Sequence, residues 1–595
     1  MSRWKIHEND VDIEKMAEVL KIDPVLCDVL ANRGIRTKNT AIKFLNPKLE
    51  YLHDMASMAG VADAVEIIST GIEKTQAFCI FGDYDADGIT STVITHKALE
   101  GLGAKVGYYI PHRSREGYGP SIAAFEKLAQ DYQILIIVDS GIAALDEIAR
   151  AVELGLKVIV IDHHEAQTDE AGNEALPAAH AIIDPKQANC AYPFKQMCAG
   201  GLSYKFAMHL YKELGKGFKD ADEALIFAMI ATFCDIVDLV DENRIIAKNG
   251  LLTLNTKFST NIGLNALVMA RNLEYNSIDD FAVGFVLGPC INASGRLDTA
   301  ELAVELFLTK DKERAAELAA QLVELNDKRK EMCAKFVEEA VQNLPPDDEL
   351  DDIILIYHPE IHESIAGIVA GRVKEHTGRP TIVFAKSHDV ASGKDFAKGS
   401  ARSIEAYNIF EHMQNNKELF LRFGGHALAA GVSLDVENID ILRKRLNDAS
   451  TLTKDDFDPI IYAEKWVQLD DITFELASHF TALAPFGKAN KEPMFFARDI
   501  VTEQVQILGQ NKQTLKLVFR TEQGRKINAI AFKAVEKFAD YLRKYYSDEV
   551  ADGFFSGKLR NLNIKMDCAF NVRINTYMGN SSLQLVITDF RTSSQ

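Results

Sequence analysis

Carboxylates and imidazoles fall in this sequence in a pattern suited to holding metal. Asp83, Asp85 and Asp87 alternate along the segment GDYDADG (82–88). Asp139 opens DSG, Asp162, His163 and His164 are contiguous, and Asp235 stands in TFCDIV. Taken singly, each has an ordinary explanation. An aspartate after a strand is usually a helix N-cap or a turn residue, and a lone histidine pair is more often structural than ligating. Gathered in one place, so many carboxylates would repel one another strongly without a cation. With a divalent ion they become ligands. Oxygen donors mixed with imidazole suit Mn²⁺, with Mg²⁺ as the alternative. None of these segments offers the paired cysteines of a structural zinc site.

The surrounding sequence can gather them. AFCIF (77–81) runs into Asp83, ILIIV (134–138) into Asp139, and VIVI (158–161) into Asp162. KVGYYI (105–110) adds another apolar strand, and helical patterns alternate with all four. That is the pattern of a parallel α/β sheet. In an open parallel sheet the C-terminal strand ends share one edge, and ligand sites form there. Asp235 follows the apolar helical stretch ALIFAMIA (224–231), which could reach the same edge.

A chain of 595 residues is too long for one core. Residues 1–70 read as a packed helical N-terminal extension and 71–245 as the α/β domain with the acids. Residues 246–345 read as a helical connector; its stretch 300–341, rich in Ala, Glu, Leu and Lys without Pro or Gly, predicts a long helix or helix pair. NLPPDDELDD (343–352) marks a boundary. A second α/β domain spans 346–455, and 456–595 alternates like an antiparallel barrel. The fold class is therefore α/β and multidomain.

The formal net charge of −20 argues on its face against nucleic acid. Its distribution weakens the objection, because residues 501–595 hold 14 Lys+Arg against 9 Asp+Glu. Eight scattered cysteines form no CxxC pair, the usage of a reducing compartment. No apolar run approaches membrane-spanning length, so a cytoplasmic protein with no membrane association is expected.

The motifs carry a resemblance. DYDADG, VDSG, DHH and CDIVDL are similar, in that order, to the four motifs of the DHH phosphoesterase superfamily. IPHRSREGYG (110–119), GPCINASGRLD (288–298), HESIAGIVAGR (362–372), GSARS (399–403) and FGGHALAAG (423–431) resemble the further signatures of its RecJ branch, including a DHHA1 domain. LAPFGKANKEPMFF (483–496) resembles the lead-in to an oligonucleotide-binding (OB) barrel. Cys234 and Cys290 depart from many relatives and bear on packing near the metals. The resemblance implies an exonuclease that degrades single-stranded DNA from its 5′ end and releases 5′-mononucleotides in repair and recombination. Single-stranded DNA is then the partner, with a single-strand-binding protein and a helicase alongside, and the chain is expected to act as a monomer. A rival is a phosphodiesterase of short oligonucleotides or cyclic dinucleotides, for which the barrel has no obvious use. Another is a non-catalytic scaffold, which should have lost ligands.

Roles follow from the same resemblance. Two divalent ions, Mn²⁺ or Mg²⁺, about 3.5–4 Å apart would supply a nucleophile and neutralise the phosphodiester. Asp85, Asp87, Asp139, His163 and Asp235 would hold them, with Asp139 as the bridge. Asp83 is a ligand or a partner fixing the loop, and Asp162 either orients the histidines, the favoured role, or binds metal. His164 would face the scissile phosphate. Arg113 and Arg296 are candidates for bidentate phosphate contacts, against a structural salt bridge. Ser400 and Arg402, in a Gly-flanked loop, resemble a pocket for the 5′-terminal phosphate. Gly424, Gly425 and His426 form a loop that lets backbone approach nucleic acid. His362 is either a nucleotide contact or a satisfied core histidine. Phe496, Phe532 and Tyr577 are candidate base-stacking aromatics of the barrel, although most aromatics in such strands are core.

Overall fold

The structure, a computed structural model, describes residues 2–593 apart from 114, 118, 170–171, 258, 390–392, 557–560 and 578. The chain forms two compact units. One comprises His53–Val237 and Gly250–Pro459; the other comprises Ser2–Leu52, Asp238–Asn249 and the residues from Ile460 onward.

The first unit contains two five-stranded sheets and a two-stranded antiparallel pair, Gln167–Thr168 with Glu174–Ala175. Strands β1 (Ala77–Phe81), β2 (Lys105–Tyr109), β3 (Ile134–Val138), β4 (Lys157–Ile161) and β5 (Ala181–Ile183) pair in the order β2-β1-β3-β4-β5, every pair parallel. Every residue of β1 and β3 is buried. Strands covered on both faces lose the polar alternation of a half-exposed sheet, so they read as unbroken apolar runs. Helix α1 (Ala86–Gly101) leaves β1, and α2 (Ala199–Glu213) and α3 (Ala221–Cys234) pack on it and on each other. Helices continue through α4 (Gly288–Leu297) into the 31-residue α5 (Lys312–Gln342). The second sheet has β6 (Ile354–Tyr357), β7 (Thr381–Asp389), β8 (Lys394–Arg402), β9 (Phe420–His426) and β10 (Ala429–Leu434) in the order β9-β10-β8-β7-β6. Only β6–β7 is parallel there. Helix α6 (Glu363–Thr377) packs on β7 and β8.

The second unit is built on a closed barrel of β11 (Met494–Leu508), β12 (Thr514–Arg520), β13 (Lys526–Ala531), β14 (Asn561–Tyr577) and β15 (Asn580–Arg591). It closes in the order β11-β12-β13-β15-β14, with β14 returning to β11. Five is odd, so a closed ring cannot be antiparallel throughout. The one parallel junction is β13–β15, a refinement of the antiparallel alternation read from sequence. N-terminal helices Ile13–Leu20 and Pro24–Asn32 share this unit's core: Met16, Leu26, Val29 and Leu30 pack in one cluster with Leu476, Phe495, Phe519 and Phe570. Arg244 is fully buried in the same unit and donates to the carbonyls of Phe44, Ala482, Ala484 and Pro485. Phe496 is buried against Trp4 at 4.4 Å between ring centroids and cannot stack a base. Phe532 is 60% exposed, and the side chain of Tyr577 lies outside the described residues.

Candidate active site

The acids converge at the C-terminal edge of the parallel sheet. Asp85 caps α1, its Oδ1 accepting the N–H groups of Asp87 at 2.9 Å and Gly88 at 3.2 Å. The ordinary N-cap explanation is therefore correct for Asp85, but it occupies one oxygen only. Asp87 lies in the first turn of α1 and reaches the start of α2. Its Oδ2 accepts from Ala199 N at 2.9 Å and its Oδ1 from Gly200 N at 2.7 Å. Cys198, the N-cap of α2, makes no side-chain cap, so Asp87 satisfies two otherwise orphaned donors at a positive helix end. Gly200 permits this: a Cβ there would collide with Ala231 and lie 3.1 Å from Asp87 Oδ1.

Asp139 follows β3 at φ +59°, a left-handed conformation uncommon outside glycine. Strain of this kind gathers at active sites, and here it turns a buried carboxylate toward β4. His163 follows β4 with Nε2 3.1 Å from Asp139 Oδ1 and 3.6 Å from Asp87 Oδ2; its Nδ1 is 3.8 Å from Asp235 Oδ2. Asp235 is the C-cap of α3. Three groups have donor atoms within 4.8 Å of one another: Asp83 with Asp85 and Asp139, Asp87 with His163 and Asp235, and Asp139 with Asp162, His163 and His164. Asp139 and His163 join them. Asp162 is differently employed. Its Oδ2 accepts from Ile142 N at 2.9 Å, and its Oδ1 meets His163 N at 2.7 Å and His164 Nδ1 at 2.7 Å. Its donors leave it fixing both histidines.

The electrostatics of the cluster call for a cation. Burial, then the neighbouring carboxylates, raise Asp83 and Asp139 well above the usual range, Asp87 to about 6 and Asp235 to about 8. Burial and the charge of His164 push His163 down to about 3, leaving a neutral imidazole free to ligate. Burial also opposes charge on His164, but the hydrogen bond and charge of Asp162 outweigh it and hold His164 up to about 9. Asp162, despite its burial, is held at about 2 by that hydrogen bond. One oxygen of Asp83 is buried with no hydrogen-bond partner. Carboxylates that resist ionisation, a neutral histidine and an orphaned carboxylate oxygen fit hard divalent ions, which would displace the protons.

Guanidinium groups lie beside the metal loop. Arg113 stacks over Tyr84 at 4.8 Å. Arg296, on α4, donates to Ser364 O at 2.7 Å. Burial, then the charges of Arg113 and Arg329, lower it to about 10. Among the described residues no carboxylate lies within ion-pair distance of Arg113, Arg296 or Arg329, so the salt-bridge explanation finds no partner. Helix α4 is clamped to the loop: Asn292 Oδ1 accepts from Ala86 N at 2.8 Å, and a Cβ on Gly295 would collide with the Tyr84 carbonyl.

Ser400 and Arg402 lie on strand β8 rather than in a loop. Gly399 does not break the strand, because β7 and β10 pair with it on both sides. Residues two apart point to one face, and Arg402 Nη1 donates to Ser400 Oγ at 3.0 Å. Gly367 of α6 makes the space; a Cβ there would lie 2.7 Å from Ser400 Oγ and 2.9 Å from Arg402 Nη2. No carboxylate among the described residues pairs with Arg402. Gly424, Gly425 and His426 end β9, with Gly425 at φ +149° and His426 exposed. Register places His426, Ala429 and Arg402 in one row across β9, β10 and β8. His362 caps α6, its Nδ1 lying 3.3 Å from Ser364 N and 2.7 Å from Ser364 Oγ.

Asp184 escaped sequence reasoning. It follows β5, is fully buried, keeps one carboxylate oxygen unpartnered and is raised by burial to about 7. The strand-end rule that found Asp139 would have found it, but β5 has only three residues. Asn292, Gly200 and Gly367 were missed because their partners are remote in sequence.

Comparison with known proteins shows the family. The family model for the DHH family, N-terminal domain, matches residues 77–232; the DHHA1 domain matches 351–451; the RecJ OB domain matches 464–589. A single-stranded-DNA-specific exonuclease RecJ of Bacillus subtilis (strain 168) is 36% identical over 90% of this chain, which spans 66% of that relative's length. The protein of the same description from Haemophilus influenzae is 31% identical over 93% of this chain and 94% of its own length. Among solved structures, RecJ in complex with Mn²⁺ from Thermus thermophilus has a TM-score of 0.79 at 24% identity, covering 100% of this chain and 80% of that one. An exonuclease RecJ bound to manganese has a TM-score of 0.57 at 28% identity, covering 68% of this chain and 97% of its own.

Proposed function

The chain belongs to the RecJ family of single-stranded-DNA-specific exonucleases, and from that premise we propose how it cuts and in which direction. It hydrolyses single-stranded DNA from the 5′ end and releases 5′-mononucleotides. Two divalent ions, Mn²⁺ or Mg²⁺, held by Asp83, Asp85, Asp87, Asp139, His163 and Asp235, would supply a nucleophile from water and neutralise the phosphodiester's charge. Asp139 joins the ligand groups, its strained backbone fixing the carboxylate between them. Asp162 aims His164 through its Nδ1, so that His164 faces the scissile phosphate. Arg113 and Arg296 neutralise the flanking phosphate oxygens. Ser400 and Arg402 hold the terminal 5′-phosphate and thereby set direction, since a two-metal centre alone has no preference for either end.

The observation that carries this reading is the meeting of ligand groups at Asp139 and His163, beside arginines that no carboxylate among the described residues approaches to ion-pair distance. Asp139→Ala should abolish hydrolysis while the far-ultraviolet circular dichroism stays unchanged. Chelator should silence the unmutated chain and Mn²⁺ restore it. Near-normal turnover by Asp139→Ala would sink the assignment. A single-strand substrate needs duplex to be opened, so a helicase and a single-strand-binding protein are the partners we propose, with the chain acting as a monomer. All eight cysteines are free and seven are buried, which supports a reducing, cytoplasmic setting.

A further inference from the structure

Phe281 and Phe285 are 61% and 68% exposed, and their rings stack with centroids 5.0 Å apart and 20° between planes. Neither ring has a part in the proposed cleavage. They stand four residues apart, so one helical face presents both. Val283–Leu287 departs from α-helical geometry as a single π turn, a rare form frequent at functional sites. That turn runs directly into α4, which carries Asn292 and Arg296 to the metal loop. Gly288, the first residue of α4, packs against Cys234, the neighbour of Asp235. Ile236 comes next, 65% exposed and at φ +56°. A β-branched residue is an outlier there; glycine or asparagine is the ordinary occupant after a helix C-cap. Backbone strain persists where the side chain has a task.

We propose that Phe281, Phe285 and Ile236 form an apolar wall on which unpaired bases of the substrate strand stack, a short way from the cleavage centre. The proposal rests on the reading of the chain as a single-strand exonuclease. Every base has an apolar π-face, so stacking tolerates any sequence, as an enzyme that must digest any strand requires. In a duplex both faces of a base are already covered by its neighbours, so the wall favours single strands. Phe285 and Arg296 are eleven residues apart, about 16 Å along a helix, or the span of a few nucleotides. Asp279 and Asp280 precede Phe281, and the Asp279 carboxylate accepts from Ala282 N at 2.8 Å, so the wall is read as gripping bases by their apolar faces rather than the phosphates by charge.

Binding is measured in the Asp139→Ala background so that strands survive, with single abasic sites walked through the first ten nucleotides. One or two positions should weaken binding by roughly 5- to 150-fold, the range for loss of one stacked base. Phe281→Ala/Phe285→Ala should weaken intact strands by a similar factor and leave those abasic strands no weaker than before. Ile236→Gly should also weaken intact strands, yet keep or raise the melting temperature because it relieves the backbone. Unchanged binding of intact strands by the double variant overturns the proposal. If that variant instead loses a self-association seen by sedimentation, the wall is a contact between copies and the proposal is wrong. Mononucleotide release from intact strands by the unmutated chain, run in parallel, tests the exonuclease reading separately: its absence refutes that reading whatever the wall does.

Discussion

Replacing Arg402 by alanine should erase much of the preference for a 5′-phosphate while leaving the fold intact. Arg402 is half-buried, and among the described residues its guanidinium donates to neutral groups, Ser400 Oγ at 3.0 Å and Ala401 O at 2.8 Å. Burial lowers its pKa; no carboxylate among the described residues compensates the charge. Such a cation is costly unless an anion arrives. A terminal phosphate offers that anion and can take two parallel donors. Losing charge-assisted hydrogen bonds costs about 1.5–3 kcal/mol, or about 10- to 150-fold in kcat/KM. The assay compares kcat/KM for 5′-phosphorylated and 5′-hydroxyl strands of one sequence. Arg402→Ala should lose that factor on the phosphorylated strand only, and its melting temperature should hold or rise. Equal losses on both strands with a lower melting temperature would refute the phosphate role and point to a structural one.

Metal should stabilise the protein more at pH 8 than at pH 5.5. Carboxyls raised to about 6 and 8 at Asp87 and Asp235 hold protons that the unfolded chain releases near pH 4. Their contribution to the metal-free fold is therefore fully present below about pH 4 and lost as pH rises through 6 and 8. Divalent ions take the place of those protons, so the Mn²⁺-induced shift in melting temperature should grow across this window; a shift independent of pH would refute it. Gly200→Ala should push the start of α2 away from Asp87, lowering Mn²⁺ affinity in calorimetry at least tenfold along with stability, whereas Gly215→Ala tests strain at an open site and should spare the metal. Truncation after Ser450 should give an aggregation-prone product, because Leu26, Val29 and Leu30 lose the core they share with Phe495 and Phe519; a monodisperse, fully folded fragment in sedimentation would contradict that core.

The sheet that builds the site was readable because its strands are buried on both faces. AFCIF and ILIIV coincide with β1 and β3 residue for residue, and their ends place Asp83 and Asp139 without further information. What stayed hidden depends on partners far along the chain. Nothing near Gly200 announces that its N–H will meet Asp87, 113 residues earlier. Asn292 looks like any helical asparagine until α4 docks on Ala86. Ser400 and Arg402 were expected in a loop because Gly399 is a weak strand former, but pairing on both edges overrides local propensity. Phe496 showed the limit of reading aromatics by alternation: the period gives the face, and only the packing of Trp4 shows that this face is covered. Arg244 gave no signal at all, since its acceptors are backbone carbonyls brought in from two other segments.

Direction is the most direct measure of the central claim. A single strand carrying a 5′-phosphate and a fluorophore at its 3′ end is digested with Mn²⁺ and sampled through the first turnovers. The account predicts free 5′-mononucleotides from the earliest sample and a labelled ladder that shortens one nucleotide at a time, with no cutting of the matching duplex or in chelator. Early release of the 3′ fluorophore on a mononucleotide, or internal fragments before any mononucleotide, would contradict it.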